Sequence, residues 1–402
     1  MINVEKFIAQ YITKRTESFF KIDIENNHDN LIKAIENKSV MVIGGAGSIG
    51  SSFIKALLKY KPKRLFVIDF NENGLTELTR DLRSTFDLFV PEDYKTYPLN
   101  FDDPIFDRIL EKEGPFDIIA NFAAHKHVRS EKDAYSVAAL LDNNVLKAEK
   151  FLAKLILSPP KHFFGVSSDK SANPVNVLGA SKKIMEEMIL GYSNYFPVTL
   201  ARFANVAFSN GSLLDGFVER LAKKQPFSAP MDVKRYFVSP EESGQICLLA
   251  CILGNTGEIF FPKLDPSQMM TFSDIGTQLL VTLGYTPRYC ESEEEAKEFA
   301  LSLDENSKEY PVYYWNSDTS GEKSYEEFYI EKEDVDFTKY HSLGVVKNAQ
   351  RRELNEIHHQ TNLLQGILNK PNVSKSEIIS VLQRLLPTFH HIETGKNLDQ
   401  KM

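Results

Sequence analysis

Residues 39–60, SVMVIGGAGSIGSSFIKALLKY, run from a short apolar strand through a glycine-rich turn into an amphipathic helix, and they restrict the possible folds more than any other stretch. Gly44, Gly47 and Gly50 let the backbone approach a pyrophosphate held at the helix N-terminus, beside Ser48 and Ile49. A second apolar run, RLFVIDF, carries Asp69 19 residues after Gly50, close to the offset of about 20 at which an acid binds the ribose hydroxyls of a dinucleotide. A carboxylate there repels a 2′-phosphate, so the pattern selects NAD over NADP. The plainer alternative is a solvated aspartate at a strand end. Asn71 follows, where the next helix opens, and joins the candidate cofactor contacts.

Further apolar strands alternate with amphipathic helices, which is the pattern of the α/β class with a doubly wound parallel sheet. A ligand then lies across the carboxyl ends of the strands. Asp102 falls where such folds contact adenine. PFDIIANFAA is followed by HKHVRSEKD, which places Ala123 at the cofactor edge and Lys126 and His127 at the substrate edge. His125 and His127 lack a third ligand at suitable spacing, so no metal is expected. Asn144 reads either as packing behind the nicotinamide or as an ordinary helix-face asparagine.

The formal net charge of -8 argues against a nucleic-acid partner held by a general basic surface. No run of about 18 apolar residues occurs, and the N-terminus mixes charge too early for a signal peptide, so neither a membrane span nor export from the cytoplasm is expected. Cys247, Cys251 and Cys290 are too few and too badly spaced for a disulfide framework or a zinc site, and the first two read as core residues.

The apolar run HFFGV ends in Ser167, Ser168, Asp169 and Lys170. A strand that stops in two hydroxyls, a carboxylate and an ammonium is a candidate active site. The turn after it contains Asn173 and Pro174 and leads into a helix with Leu178, Gly179, Ala180, Ser181 and Lys182 near its start.

Six ordered motifs carry a resemblance to the extended short-chain dehydrogenase/reductase superfamily: GGAGSIGSS, NFAAHKHV, SSDKSANPVNVLGASK, ARFANVAFSNGS, KRYFVSPEE and TSGEKSYEE. Within it, the chain resembles the sugar-nucleotide 4,6-dehydratases of bacterial glycan synthesis. The superfamily's Tyr-x-x-x-Lys reads Leu178 to Lys182 here. Methionine replaces that tyrosine in configuration-retaining UDP-N-acetylglucosamine 4,6-dehydratases, so Leu178 points to that branch. Ile43 stands where a threonine usually precedes the first glycine.

The resemblance implies a resident NAD and a nucleotide-sugar substrate, with UDP-N-acetylglucosamine as the family expectation. It implies Asp169 and Lys170 as the acid and base, in either assignment, Ser168 on the carbon 4 hydroxyl, and Lys182 on the nicotinamide ribose. Lysine as the base would need a lowered pKa. Asn205 and the turn at Gly211 and Ser212 would approach the diphosphate, Arg235 would pair with phosphate through its forked guanidinium, and Glu322 would contact the nucleotide sugar. Relatives assemble through helices beside the catalytic helix, which implies a homo-oligomer.

The division expected is a helical arm at 1–37, a Rossmann domain at 38–208 completed by 234–263, a substrate domain over the rest of 209–345, and a helical tail at 346–402. Asp29 or Asn30 is expected to cap the arm's second helix. The acidic stretch RYCESEEEAKEFALSLDENSKE reads as an inserted, solvated helix and loop. Ser374 and Glu377 form a capping-box pattern in the tail, which is expected to serve packing or assembly. Two rival readings are a sugar-nucleotide 4- or 5-epimerase, of which a plain 4-epimerase would normally need the missing tyrosine, and a non-catalytic NAD-binding scaffold, for which the retained Ser168, Asp169, Lys170 and Lys182 would have little use.

Overall fold

A computed structural model describes the chain except for residues 1, 129, 130, 324, 397, 398 and 400. Its centre is a nine-stranded sheet built mostly from the apolar runs of the sequence, with the polar, partly buried Asp93–Tyr97 and the short Val335–Asp336 at its two edges. The spatial order is Val335–Asp336, Leu343–Val346, Ile259–Pro262, Val198–Ala201, His162–Val166, Ile118–Asn121, Ser39–Ile43, Arg64–Ile68 and Asp93–Tyr97. Pairing is parallel from Ile259–Pro262 through to Asp93–Tyr97, and the two remaining strands close the sheet antiparallel. The strand order reverses between Ser39–Ile43 and Ile118–Asn121. That switch point opens a crevice at the carboxyl ends, where the glycine turn and residues 122–127 meet.

Helices cover both faces, as buried parallel strands require. Ser48–Leu58 packs directly on Pro240–Leu253, and a Cβ at Gly244 would lie 2.2 Å from the Ser52 carbonyl oxygen, so only glycine permits this approach. Cys247 and Cys251 are wholly buried in the same helix. The first 35 residues feed two cores: Phe7, Ile8 and Ile12 join the core of a smaller unit, while Phe20, Leu31 and Ile35 join the core of the large sheet. Arg15 ties this segment down with a forked pair to Glu242, both contacts at 2.9 Å.

Neither Asp29 nor Asn30 caps the helix His28–Ile35. Only Asn27 separates it from Lys21–Asn26, and the Leu31 amide donates to the Asn27 carbonyl, so the helix starts earlier. Asp29 therefore sits inside the first turn, where its charge suits the helix dipole.

The smaller unit has a parallel three-stranded sheet in the order Thr286–Tyr289, Glu309–Trp315, Phe227–Pro230. The acidic stretch supplies its crossover helix, Glu293–Ala300, capped by Ser292 and packed on Glu309–Trp315 through the buried Ala296. Three glutamates in its first turn face the positive end of the helix. It is thus the crossover of that sheet, with Ala296 as its buried residue.

The helices Leu354–Leu368 and Lys375–Leu385 pack on each other and on Ala134–Leu141 and Val177–Gly191, and the Ser374–Glu377 capping box forms. Leu364, Ile378 and Leu382 share one apolar cluster with Val137, Leu140 and Leu178. The chain's own tail thereby occupies a face of the helix that carries Leu178 and Lys182. Among the described residues, no helix is long and apolar enough to cross a membrane.

Candidate active site

The glycine turn is held open for a ligand by close backbone packing. Gly44 has φ +75°, and a Cβ there would lie 2.6 Å from the Ala123 amide nitrogen. A Cβ at Gly50 would lie 2.3 Å from the Gly44 carbonyl oxygen. Gly47 precedes the helix Ser48–Leu58, whose first turn contains Ser48, Ile49 and Gly50 and whose first amides have no partner within the helix. Asp69 is buried and accepts the amides of Ala46 and Asn71, both at 3.0 Å, which locks the acid against the turn. Each of its oxygens keeps a further lone pair for a ribose hydroxyl. These residues fit a dinucleotide.

Two other candidates have committed side chains. Asn71 caps Glu72–Ser84 by accepting the Gly74 amide, and Asp102 pairs with Lys147 at 3.2 Å.

The loop at 209–212 reaches across to this turn. The Asn210 amide donates to Ser48 Oγ at 2.8 Å, and Lys126 Nζ donates to the Asn210 carbonyl at 2.8 Å. Gly211, at φ +71°, donates to Asp215, while a Cβ on it would stand 3.4 Å from the His127 ring. Ser212 spends its hydroxyl oxygen capping Leu213–Ala222. Lys126, His127, Gly211 and Ser212 therefore converge beside Ser48, and burial pulls the Lys126 pKa below its ordinary value. Asn205 lies farther along, bound through its amide to the Tyr236 carbonyl at 3.0 Å.

The turn after His162–Val166 sits on a buried polar network. Ser167 and Ser171 both donate to Glu186 Oε1 at 2.6 Å. Burial alone would raise Glu186, but the Arg202 guanidinium outweighs it and holds the carboxyl down at about 2. On this base, Ser168 Oγ donates to Asp169 Oδ1 at 2.8 Å, and Lys170 Nζ stands 3.2 Å from the same oxygen. Lys182 is buried and donates to the Val166 carbonyl at 3.1 Å. Burial lowers its pKa to about 8, with Glu186 opposing. Asn144 is fully satisfied: it binds both backbone groups of His125 and donates to Ser181, pinning the 123–127 segment to Val177–Gly191.

The second wall of the cluster comes from a distant segment and adds a residue, Glu326, to the expected Arg235 and Glu322. Glu326 lies 3.3 Å from Lys170 Nζ and 3.7 Å from Arg235, with only 4% of its surface exposed. Its only signal was the second acidic position of TSGEKSYEE. Burial works against the charge on Lys170, yet the Asp169 and Glu326 carboxylates prevail and its pKa is raised, the opposite of what a lysine base needs. Arg235 is buried, not a surface side chain. It donates to the Lys234 and Lys323 carbonyls at 2.9 Å and turns its remaining charge toward Glu322 at 3.5 Å and Glu326. Glu322 also accepts hydrogen bonds from Ser317 and Thr319.

The tail completes this wall. The Ile392 amide donates to the Val175 carbonyl, the Gly321 amide donates to the Ile392 carbonyl, and His391 meets Glu131. Residues 390–392 thus tie the turn after Lys170 to the turn before Glu322.

A glycine turn with a paired acid, a Ser-Asp-Lys turn around a buried Asp169 and a lysine one helical turn after Leu178 together define the extended short-chain dehydrogenase/reductase class. The chain belongs to the polysaccharide biosynthesis protein family, whose pattern matches residues 40–348. It is similar to an uncharacterized membrane protein of Methanocaldococcus jannaschii, 29% identical over 318 residues, 77% of this chain and 86% of that one. The probable polysaccharide biosynthesis protein EpsC of Bacillus subtilis is 28% identical over 63% of this chain, which spans 42% of that protein's length. A Campylobacter jejuni UDP-N-acetylglucosamine 4,6-dehydratase (inverting) is 25% identical over 69% of this chain and 82% of its own. Among solved structures, Pen from Bacillus thuringiensis matches with TM-score 0.63 and 20% identity over 83% of this chain and 98% of that one. DesIV from Streptomyces venezuelae, a dTDP-glucose 4,6-dehydratase with NAD and TYD bound, matches with TM-score 0.54 and 18% identity over 72% and 87%. These structural likenesses speak to the fold alone.

Proposed function

We propose that the chain is an NAD-dependent sugar-nucleotide 4,6-dehydratase, which converts UDP-N-acetylglucosamine or a related nucleotide hexose to a 4-keto-6-deoxy sugar nucleotide. The observation that carries this reading is the pair of buried Asp169 and partly exposed Lys170, faced by Glu326, at the same sheet edge as the glycine turn. An epimerase, which moves no oxygen, has no use for such a set of proton carriers. NAD would be held by Gly44, Gly47, Ser48, Ile49, Gly50, Asp69, Ala123 and Lys182, and when bound would supply the hydride acceptor that lets sugar carbon 4 become a ketone and carbon 6 be reduced afterwards.

The ketone acidifies the proton on carbon 5. Lys170, flanked by two carboxylates, stays an ammonium, so Asp169 is the group that takes this proton and later gives one back. Lys170 stabilises the negative charge that gathers on the carbon 4 oxygen. Ser168 orients Asp169 through its hydrogen bond. Lys126, His127, Asn205, Gly211, Ser212, Arg235 and Glu322 hold the nucleotide sugar. The reaction is suited to surface glycan synthesis.

Purified protein incubated with UDP-N-acetylglucosamine, then read by mass spectrometry and proton NMR, tests the reading. Loss of one water with a new carbon 6 methyl signal is the expected result. An isomer of unchanged mass would establish an epimerase instead.

A further inference from the structure

Leu178 leaves the carbon 4 hydroxyl without the acceptor that a tyrosine would provide, because its side chain lies in an apolar cluster with Val137 and Leu364. The proton must go elsewhere. Dehydration removes and restores a proton at carbon 5, so the proton that leaves carbon 4 oxygen is the one that departs with carbon 6 oxygen as water. One group that accepts at oxygen 4 and donates at oxygen 6 closes the cycle without a further donor.

One buried carboxylate has an oxygen to spare. Glu326 Oε1 is engaged with Lys170, but Oε2 is buried with no hydrogen-bond partner among the described residues. An orphaned oxygen of this kind is costly unless a partner arrives in the working state. The cluster is open on the Lys170 side, where 18% of the side chain is exposed.

Resting on the dehydratase reading, we propose that Glu326 replaces the absent tyrosine: Oε2 accepts the carbon 4 hydroxyl proton and later delivers it to the departing carbon 6 hydroxyl. In the first step the O–H bond at carbon 4 breaks as Glu326 Oε2 takes its proton, and the O–H electron pair forms the carbonyl; the hydride that carbon 4 gives up would pass to the dinucleotide that the glycine turn would hold. In the second, Asp169 takes the carbon 5 proton, the C–H pair becomes the carbon 5–carbon 6 double bond, the C–O bond breaks, and Glu326 protonates the oxygen that leaves as water. In the third, where the reduced dinucleotide would return the hydride to carbon 6, Asp169 restores the proton at carbon 5, and both carboxylates regain their starting form.

The surroundings suit a group that must both take and give a proton. Burial raises the Glu326 pKa, Asp169 adds to this, and Lys170, Arg235 and Lys323 only partly offset it. Glu322 draws off part of the Arg235 charge.

Glu326→Gln and Glu326→Asp test the assignment in the full chain, with folding checked by thermal melting. Glu326→Gln is expected to bind UDP-N-acetylglucosamine within threefold of wild type by calorimetry. It should lose water at least 100-fold more slowly and incorporate no solvent deuterium at carbon 5 of recovered substrate. Glu326→Asp, which keeps a carboxylate, is expected to retain measurable turnover. Independently of activity, the infrared spectrum of wild type minus Glu326→Gln should contain a carboxylic acid carbonyl band that titrates above the usual glutamate range. Dehydration by Glu326→Gln within tenfold of wild type, persistent deuterium exchange at carbon 5, or absence of that band would overturn the proposal and leave the dehydratase reading standing. Wild-type protein that removes no water from any UDP or GDP sugar overturns both.

Discussion

Arg202 and Glu186 form a forked ion pair, with Nε to Oε1 and NH2 to Oε2 both at 2.8 Å and neither side chain exposed. Glu186 also receives Ser167 and Ser171, and Arg202 also reaches Glu333, so the pair is the floor on which Ser168, Asp169 and Lys170 stand. Arg202→Met strands two buried carboxylates. We expect a loss of about 3 to 5 kcal/mol in urea unfolding and a fall in turnover, although Arg202 touches no substrate.

Leu178→Tyr places a phenol in a packed apolar cluster. Overpacking of this kind costs about 1 to 3 kcal/mol, and the hydroxyl adds a burial cost if it finds no partner. The expected outcome is a lower melting temperature with no gain in dehydration rate, whereas Leu178→Met should be tolerated at under about 1.5 kcal/mol. A large rise in rate for the tyrosine variant would show that position 178 faces the substrate.

The strap at residues 390–392 joins two walls of the site, so a variant lacking residues 390–402 should keep its helical hairpin but hold those walls loosely. Steady-state kinetics should show KM for the nucleotide sugar up roughly tenfold, equivalent to about 1.4 kcal/mol. Unchanged kinetics would make the strap ornamental. Because the tail helices already cover a face of Val177–Gly191, a second copy would have to dock on a different surface, which sedimentation of full-length and tail-deleted chains can examine.

His162 begins the central strand beside Thr199, and burial pushes its pKa down to about 4. Between pH 6.5 and 4 the unfolded chain binds a proton there that the folded chain refuses. Stability should therefore fall as pH drops through this window, by up to about 3 kcal/mol from this group. His162→Gln should flatten the slope in denaturant titrations at pH 7, 6, 5 and 4.

Lys182 has its pKa lowered to about 8 by burial. The unfolded chain keeps that proton up to its ordinary value, so stability should rise with pH from about 8 toward 10.5, and below 8 the buried charge is a standing cost of about 3 kcal/mol. Lys182→Met is expected to melt at a higher temperature than wild type at pH 7 while losing turnover. A lower melting temperature would mean that the bond to Val166 outweighs desolvation.

The sequence by itself determined what is periodic or local. Apolar runs between turn residues set the parallel sheet, the spacing of Gly44, Gly47 and Gly50 set the crevice, and the order Ser168, Asp169, Lys170 set one wall of the site. Each of these is written in neighbouring residues, whose spacing survives any arrangement of the rest. Tertiary structure alone decided what joins distant segments. It brought Glu326 to Lys170 across 156 positions, turned Arg235 inward onto carboxylates, seated Leu178 against the tail and made the acidic stretch a crossover helix. The direction of the Lys170 pKa shift was decided there too, because it depends on which charges surround a buried group and not on which residues precede it in the chain.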